Sequence, residues 1–227
     1  MNKDARLQEL NDLILTASNK FIRKSKNILS KIRKKVKTKK ILSHALFIFI
    51  LERNLKSSTT MNYLFKREEW DEILVLLRLL LERIALVFHS LRYSLDVEEI
   101  ENLQGSKCIK ELKKHFDGIG RIYGKFSEIA HAKPIPSIYF WIGILHRHKN
   151  RKDKELEVIF RLNYCFLLEI NLAIIKLMAR EYIKIDSNWL IKGNVWKYVP
   201  IYNNKPDAMI SEQLSYVYQK FFQKIKV

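Results

Sequence analysis

Apolar residues recur every three or four positions over most of the chain, which is the spacing of amphipathic helices. The pattern predicts helical segments over 4–19, 20–40, 41–56, 68–95, 107–131, 155–184 and 210–226, with the first continuing into the second. Residues 137–147 are instead β-branched and aromatic and follow two prolines, so an extended hairpin or strand is slightly favoured there over a helix. The prediction is an all-α helical bundle of four or more core helices, with room for a small β-hairpin near 137–147.

Three polar stretches interrupt this pattern. The run SSTT at 57–60 is predicted to end one helix and to cap the next, because Ser and Thr are favoured at helix N-termini. Residues 96–106 end in Gly105 and are predicted to form a loop, and residues 185–209 are predicted to be irregular. The chain is therefore divided into basic and apolar N-terminal helices (1–56), a helical-bundle core (57–184) and an irregular segment with a C-terminal amphipathic helix (185–227).

Composition supports the helical prediction and excludes several classes of site. The 227 residues include only 6 Gly and 4 Pro, where average usage would give roughly 16 and 11. Cys108 and Cys165 are too few for a disulfide scaffold or a Cys-rich zinc module, and a reduced pair is expected. His146 and His148 lack nearby ligands, and the sequence contains no nucleotide, zincin or hydrolase signature. Neither a metal nor a cofactor is expected.

Positive charge is concentrated near the N-terminus. The chain carries 42 Lys+Arg against 24 Asp+Glu, a formal net charge of +18, and residues 20–40 hold eleven Lys/Arg and no acid. Ile22, Leu29, Ile32 and Val36 fall on one stripe, so this segment is predicted to be a basic amphipathic helix. It is interpreted either as a solvated face above a thin apolar seam or as a contact for nucleic acid or anionic lipid. The candidate nucleic-acid-binding residues are Lys24, Lys31, Arg33, Lys34, Lys35 and Lys37.

The sequence does not predict a membrane span or a signal peptide. The most apolar run, 41–51, has 11 residues, whereas a span needs about 20. The opening residues MNKDARLQEL are polar and mixed in charge, which does not fit a signal peptide. A cytoplasmic protein is therefore expected, and a membrane surface is a less favoured partner than nucleic acid.

Two charged residues lie inside the most apolar long segment, 68–95. Arg78 and Glu82 are four positions apart, so on a helix they share a face and can form an ion pair. Leu, Ile and Val surround them on nearly every side, so the pair is predicted to be half-buried. Burying either charge unpaired would cost several kcal/mol. The pair is interpreted either as a structural ion pair or as the charged floor of a site.

A second row of polar residues is predicted on the helix that ends before Pro134. Tyr123, Ser127 and His131 are spaced by four positions and fall nearly along one side. His titrates near neutral pH, so His131 can act as a general acid or base. A purely structural role for His131 is the alternative.

These two helices resemble a known superfamily. Arg78-x-x-x-Glu82 in a Leu-rich helix, followed by Tyr123-x-x-x-Ser127-x-x-x-His131, resembles a group of bacterial helical proteins related to HEPN (higher eukaryotes and prokaryotes nucleotide-binding) proteins. The resemblance covers roughly half of the chain. It implies a helical bundle that is often dimeric. It also implies a metal-independent ribonuclease of toxin–antitoxin, phage-defence or CRISPR systems.

The sequence departs from the HEPN catalytic signature, which is an Arg, commonly followed by a polar residue, then four to six residues and a His. Arg83 and His89 have this spacing, but Ile84 replaces the polar residue. The resemblance therefore leaves two alternatives. Either the standard site is degenerate, or Arg78, Glu82 and His131 form a different composite site.

Two functions are compatible with these residues. The first is metal-independent RNA cleavage, with His131 as base or acid, Arg78 stabilising the phosphorane, Tyr123 and Ser127 orienting the groups, and Glu82 holding Arg78. The second is a non-catalytic RNA- or DNA-binding or assembly subunit of a defence or regulatory complex. RNA is favoured over DNA, and a homodimer or a defence-complex partner is implied by the resemblance alone. Peripheral membrane attachment through 20–51 is the least favoured alternative.

Overall fold

The computed structural model describes residues 3–39, 42–67, 69–116, 118–130, 151–185, 189–192 and 195–198. Over these residues the chain is almost entirely helical, which confirms the predicted all-α bundle. The hairpin predicted near 137–147, the helix predicted over 210–226 and His131 lie outside the described residues.

The described part of the chain contains seven helices: α1 (Lys3–Lys39), α2 (Leu42–Arg67), α3 (Trp70–Tyr93), α4 (Val97–Glu101), α5 (Gly105–Leu112), α6 (Ile119–Ala130) and α7 (Arg151–Ala179). The segments predicted over 4–19 and 20–40 form the single helix α1. α1 packs along α7 and α2, while α3 contacts α2, α5, α6 and α7. α3 therefore lies at the centre of the bundle, and one contiguous hydrophobic core connects these helices.

The break predicted at 57–60 is wrong, because α2 continues through it to Arg67. The hydroxyls of Ser58, Thr59 and Thr60 donate to the backbone carbonyls four residues earlier, at 2.8, 3.2 and 3.4 Å. Because these hydroxyls donate to carbonyls of the same helix, they do not act as the N-cap of a following helix. The buried side chains of Met61 and Phe65 continue the apolar stripe beyond the run. The boundary predicted at 56/57 therefore falls inside α2.

The loop predicted over 96–106 contains the short helix α4. Asp96 accepts a hydrogen bond from the backbone N–H of Glu99, and Glu99 accepts one from the backbone N–H of Asp96, both at 2.9 Å. This reciprocal capping box satisfies two N-terminal N–H groups and starts the helix. The next helix, α5, begins at Gly105.

A two-stranded hairpin occupies part of the segment predicted to be irregular, 185–209. Strands β1 (Trp189–Lys192) and β2 (Val195–Tyr198) pair antiparallel, with Trp189 opposite Tyr198 and Lys192 opposite Val195. The prediction missed it because each strand is only four residues long, too short for a clear alternation of apolar and polar positions.

The long helix α7 supplies much of the core. Its segment Phe160–Ala179 is the one described stretch that is long and apolar enough to cross a membrane, but it is mostly buried within the fold. This segment belongs to the hydrophobic core of the bundle. Cys108 and Cys165 are free and buried. Burial raises the pKa of the Cys108 thiol to about 11 and that of Cys165 to about 12, so neither forms a thiolate near neutral pH.

A polar contact between α2 and α7 interrupts this core. Asn54 Nδ2 donates to Asn171 Oδ1 at 3.0 Å, and both side chains are fully buried. Within the described residues, Asn54 Oδ1 and Asn171 Nδ2 have no hydrogen-bond partner. Such a pair costs stability relative to an apolar contact, but it disfavours any other register between the two helices.

Candidate functional site

The apolar seam predicted on α1 is buried. Ile22, Leu29, Ile32 and Val36 all lie in the hydrophobic core, and α1 packs along α7. At about 100° per residue, this seam occupies one side of the helix and leaves the opposite side to solvent. The sequence and the fold therefore agree on which side of α1 carries the charge.

The exposed cations that flank the seam or face away from it form the surface that is here called the α1 basic face. Lys31, Arg33, Lys34 and Lys35 were predicted and are exposed, whereas Lys24 is half-buried. The side chain of Lys37 lies outside the described ones. Two more exposed cations, Arg23 and Lys26, were missed: Arg23 lies opposite the seam, and Lys26, four positions after Ile22, lies beside it. The α1 basic face comprises Arg23, Lys26, Lys31, Arg33, Lys34 and Lys35.

One acidic side chain meets the edge of this face. Arg33 Nη1 donates to Glu52 Oε1 on α2 at 3.3 Å, and both side chains are exposed. An exposed ion pair of this kind contributes little to stability. It marks the line along which the surfaces of α1 and α2 meet.

The half-buried pair predicted on α3 is present. Arg78 Nε donates to Glu82 Oε1 at 3.0 Å, and the two side chains are 19% and 21% exposed. Tyr123 on α6 donates its hydroxyl to the same Glu82 oxygen at 3.0 Å. The Arg78 Cζ atom lies 5.9 Å from the centre of the Tyr123 ring. Three of the five predicted catalytic residues are therefore brought together.

The Glu82 carboxylate shifts the pKa values of both Arg78 and Tyr123 upward. Burial alone would lower the pKa of Arg78, but the hydrogen bond and the negative charge of Glu82 outweigh it and raise that pKa. Burial raises the pKa of Tyr123, and the adjacent Glu82 carboxylate adds to the shift. Arg78 therefore stays charged and Tyr123 stays a hydroxyl donor over the physiological range.

The structure describes only one of the other two predicted catalytic residues. Ser127 is half-buried on α6, one turn beyond Tyr123. His131 lies outside the described residues, so its role stays a prediction. A further contact was not foreseen: a Cβ atom on Gly105 would lie 2.9 Å from the Glu82 carbonyl oxygen, so α5 begins against the backbone of this cluster.

A second polar cluster, between α3 and α5, was missed by the sequence analysis. Arg92 Nη1 lies 2.7 Å from Glu111 Oε1 and 2.5 Å from His115 Nε2, and Lys114 Nζ lies 2.8 Å from Glu111 Oε2. Glu111 is only 8% exposed. Burial would raise the pKa of Glu111, but the Lys114 hydrogen bond and the charges of Arg92, Lys114 and His115 lower it overall. The available signal was that Glu111 shares the apolar side of α5 with Cys108.

A third cluster joins the start of α2 to the chain just beyond α7. The Nδ1 atom of His44 is hydrogen-bonded to the Tyr182 hydroxyl and lies 3.6 Å from Glu181 Oε2. The His44 side chain is 12% exposed. Burial lowers the pKa of His44, with Glu181 opposing the shift. Burial, followed by the Glu181 charge, raises the pKa of Tyr182 to about 12.

The two residues with the HEPN spacing contact different parts of the fold. Arg83 Nη1 donates to Ser57 Oγ on α2 at 3.2 Å. The His89 ring packs on Tyr93 with centroids 4.7 Å apart. Burial lowers the pKa of His89, while the negative charge of Glu111 on α5 opposes the shift. Six positions correspond to about 600° around a helix, so the two side chains point in different directions.

Comparison with protein-family models, curated proteins and solved structures finds no match to this chain. Within the described residues, no group of three or more His, Cys, Asp or Glu side chains is placed to hold a metal ion. The HEPN resemblance therefore stays a prediction based on its motifs.

Proposed function

We propose that this protein binds nucleic acid, with RNA as the favoured partner, through the α1 basic face. The observation that carries the proposal is the burial of the α1 seam, which fixes the helix against the fold and turns its cations to solvent. Lys and Arg side chains that neutralise phosphates release condensed counterions, which gives sequence-independent and salt-sensitive binding.

Burial of the seam also favours nucleic acid over a membrane as the partner. An interfacial helix binds a bilayer by inserting its apolar side among the lipids. In α1 that side is already packed against the rest of the fold. The remaining exposed side is rich in cations, which suits a polyanion at the surface.

The proposal predicts that removing positive charge from α1 weakens binding to RNA of any base sequence. We expect Lys26→Gln, Lys31→Gln and Lys34→Gln together to reduce the slope of log K against log salt by up to about 2 for a single strand. The measurement is fluorescence anisotropy of a labelled RNA over a series of salt concentrations.

The matched control removes three exposed lysines from the region of α5: Lys107→Gln, Lys110→Gln and Lys113→Gln. This control loses the same net charge but leaves α1 intact. Equal weakening by both triple variants would show that net charge alone matters and would contradict the α1 interface.

A second candidate function is metal-independent RNA cleavage at Arg78. It is favoured by the convergence of Arg78 and Tyr123 on Glu82, because a held guanidinium can stabilise the charge of a phosphorane. In this proposal His131 takes the 2′-hydroxyl proton or protonates the leaving oxygen, and Ser127 helps to orient the groups. Glu82 positions Arg78.

The test is an RNA cleavage assay in the presence of a chelator, with Arg78→Ala and His131→Ala. We expect each to lower the cleavage rate at least about a hundredfold. Arg161→Ala is the control, because Arg161 forms a similarly half-buried pair with Glu157 at 2.7 Å. Wild-type rates in both test variants, or equal loss in the control, would contradict this site.

A further inference from the structure

The exposed side of α2 carries two large aromatic rings that the described part of the fold leaves largely open to solvent. Phe49 is 57% and Tyr63 is 55% exposed. Aromatic residues usually bury most of their area, so two exposed rings on one helix need an explanation. They are 14 positions apart, which corresponds to about 21 Å along the helix axis.

Each ring lies beside an arginine. The Arg53 Cζ atom is 5.8 Å from the centre of the Phe49 ring, and Arg67 Cζ is 5.4 Å from that of Tyr63. Arg67 Nη1 also donates to the Tyr63 hydroxyl at 2.6 Å. These contacts occupy part of each ring and leave more than half of each residue accessible.

The aromatic and basic residues of α2 share one side of the helix. Phe49, Arg53, Lys56, Tyr63 and Arg67 are separated by four, three, seven and four positions, and all are exposed. We call these five residues the α2 aromatic face. α2 contains four Lys/Arg and a single acid, Glu52.

This surface continues the α1 basic face. Glu52, which precedes Arg53 in the sequence, forms the ion pair with Arg33 of α1. The α2 aromatic face therefore adjoins the α1 basic face at this ion pair, with Phe49 about one helical turn before Glu52.

Resting on the proposed function, we propose that the α2 aromatic face binds unpaired bases, with Phe49 and Tyr63 as stacking surfaces and the α1 basic face holding the phosphates. Aromatic side chains interleaved with cations bind single strands, because every base offers a π-face to a ring while the backbone is neutralised alongside. In a duplex the base faces are covered by their neighbours. The ligand class is therefore single-stranded nucleic acid.

A membrane is the less fitting ligand for this surface. Insertion into lipid needs a continuous apolar side. On α2 the exposed apolar residues Leu42 and Phe49 are followed by the cations Arg53 and Lys56 before Tyr63, which stands about 21 Å beyond Phe49 along the axis. Base stacking needs only isolated rings, which is what α2 presents.

The test compares three labelled probes: single-stranded oligouridine, a duplex of the same length, and an abasic single strand that keeps the phosphates. We expect the full chain to bind oligouridine most tightly. Phe49→Ala and Tyr63→Ala should each weaken oligouridine binding about tenfold and leave binding to the abasic strand unchanged. Phe49→Trp should restore binding.

Tyr93→Ala is the matched control, since Tyr93 is 51% exposed on α3 and also lies beside an arginine, Arg92. It should bind oligouridine like the wild type. If either Ala variant loses its thermal unfolding transition, Phe49→Leu and Tyr63→Leu replace them, because Leu keeps the apolar contact without a ring.

The outcomes separate the two proposals. Wild-type oligouridine affinity in the Phe49 and Tyr63 variants overturns the stacking surface and leaves the α1 interface standing. Binding to none of the three probes overturns both. Binding to anionic vesicles that is lost in the same variants, without binding to oligouridine, assigns the face to a membrane and overturns the inference.

Discussion

At the scale of single residues, the absence of one side chain brings α5 against α3. Gly105 places its backbone so close to Glu82 that an added Cβ would lie 2.9 Å from the carbonyl oxygen. Glu82 in turn accepts hydrogen bonds from Arg78 and Tyr123. Gly105 is predicted from the sequence to end a loop, whereas in the fold it permits this close approach.

Gly105→Ala is therefore expected to lower the free energy of unfolding by about 1–3 kcal/mol, because the methyl group would overlap the Glu82 backbone. Gly124→Ala is the matched control: a Cβ there meets nothing within 4 Å. Inside helix α6 it should raise stability by about 0.5–1 kcal/mol. Urea unfolding of both variants measures the difference, and a Gly105→Ala protein as stable as Gly124→Ala would contradict the close contact.

A second residue, His44, is expected to make the stability of the fold depend on pH. Burial lowers the pKa of His44 in the folded state below its usual value of 6.5. The unfolded chain therefore takes up the proton more readily, so stability is complete above pH 6.5 and is lost as pH falls through the folded pKa. We expect the free energy of unfolding to decrease below pH 6.5, with a slope of at most about 1.4 kcal/mol per pH unit from this group.

His44→Gln should reduce that slope, because Gln cannot take up a proton. The pKa of His89 is lowered by burial in the same direction, so part of the dependence should remain. Thermal unfolding between pH 5 and pH 8 measures the effect. An unchanged pH dependence in His44→Gln would assign it to other groups.

At the scale of helices, apolar periodicity predicted the long elements and failed at their interruptions. α1, α3 and α7 were predicted because their buried stripes recur at helical spacing. The run at 57–60 was misassigned, because Ser and Thr hydroxyls can bond either to a following N–H at a cap or to a preceding carbonyl inside a helix. By contrast, Asp96-x-x-Glu99 is a local capping signal that the sequence did contain.

The register of α2 on α7 gives a prediction at the same scale. Asn54→Leu or Asn171→Leu alone leaves the other buried amide without its partner, which should cost about 1–3 kcal/mol. Replacing both with Leu should cost less than the sum of the two single changes, because no orphaned amide remains. Urea unfolding of the two single variants and the double variant measures the coupling, and additive costs would show that the two amides act independently.

At the scale of the whole molecule, the sequence predicted the class of fold but not which helices meet. The Arg78–Glu82 pair was predicted because both residues lie on one helix, four positions apart. The Glu111 cluster was missed because Arg92 comes from a different helix, and no local spacing reports such a contact. The exposure of Phe49 and Tyr63 could not be predicted from the sequence either, because an apolar residue in an apolar segment is expected to be buried.

The packing of α1 on α7 has a consequence for the order in which the protein is made. Residues 3–39 leave the ribosome long before residues 151–179, yet each helix covers the other's apolar side in the finished fold. During translation the apolar seam of α1 is made before α7 is available to cover it. In this period chaperones or a neighbouring nascent chain can cover the seam. The surface that we propose for RNA binding is thus assembled only when synthesis has passed α7.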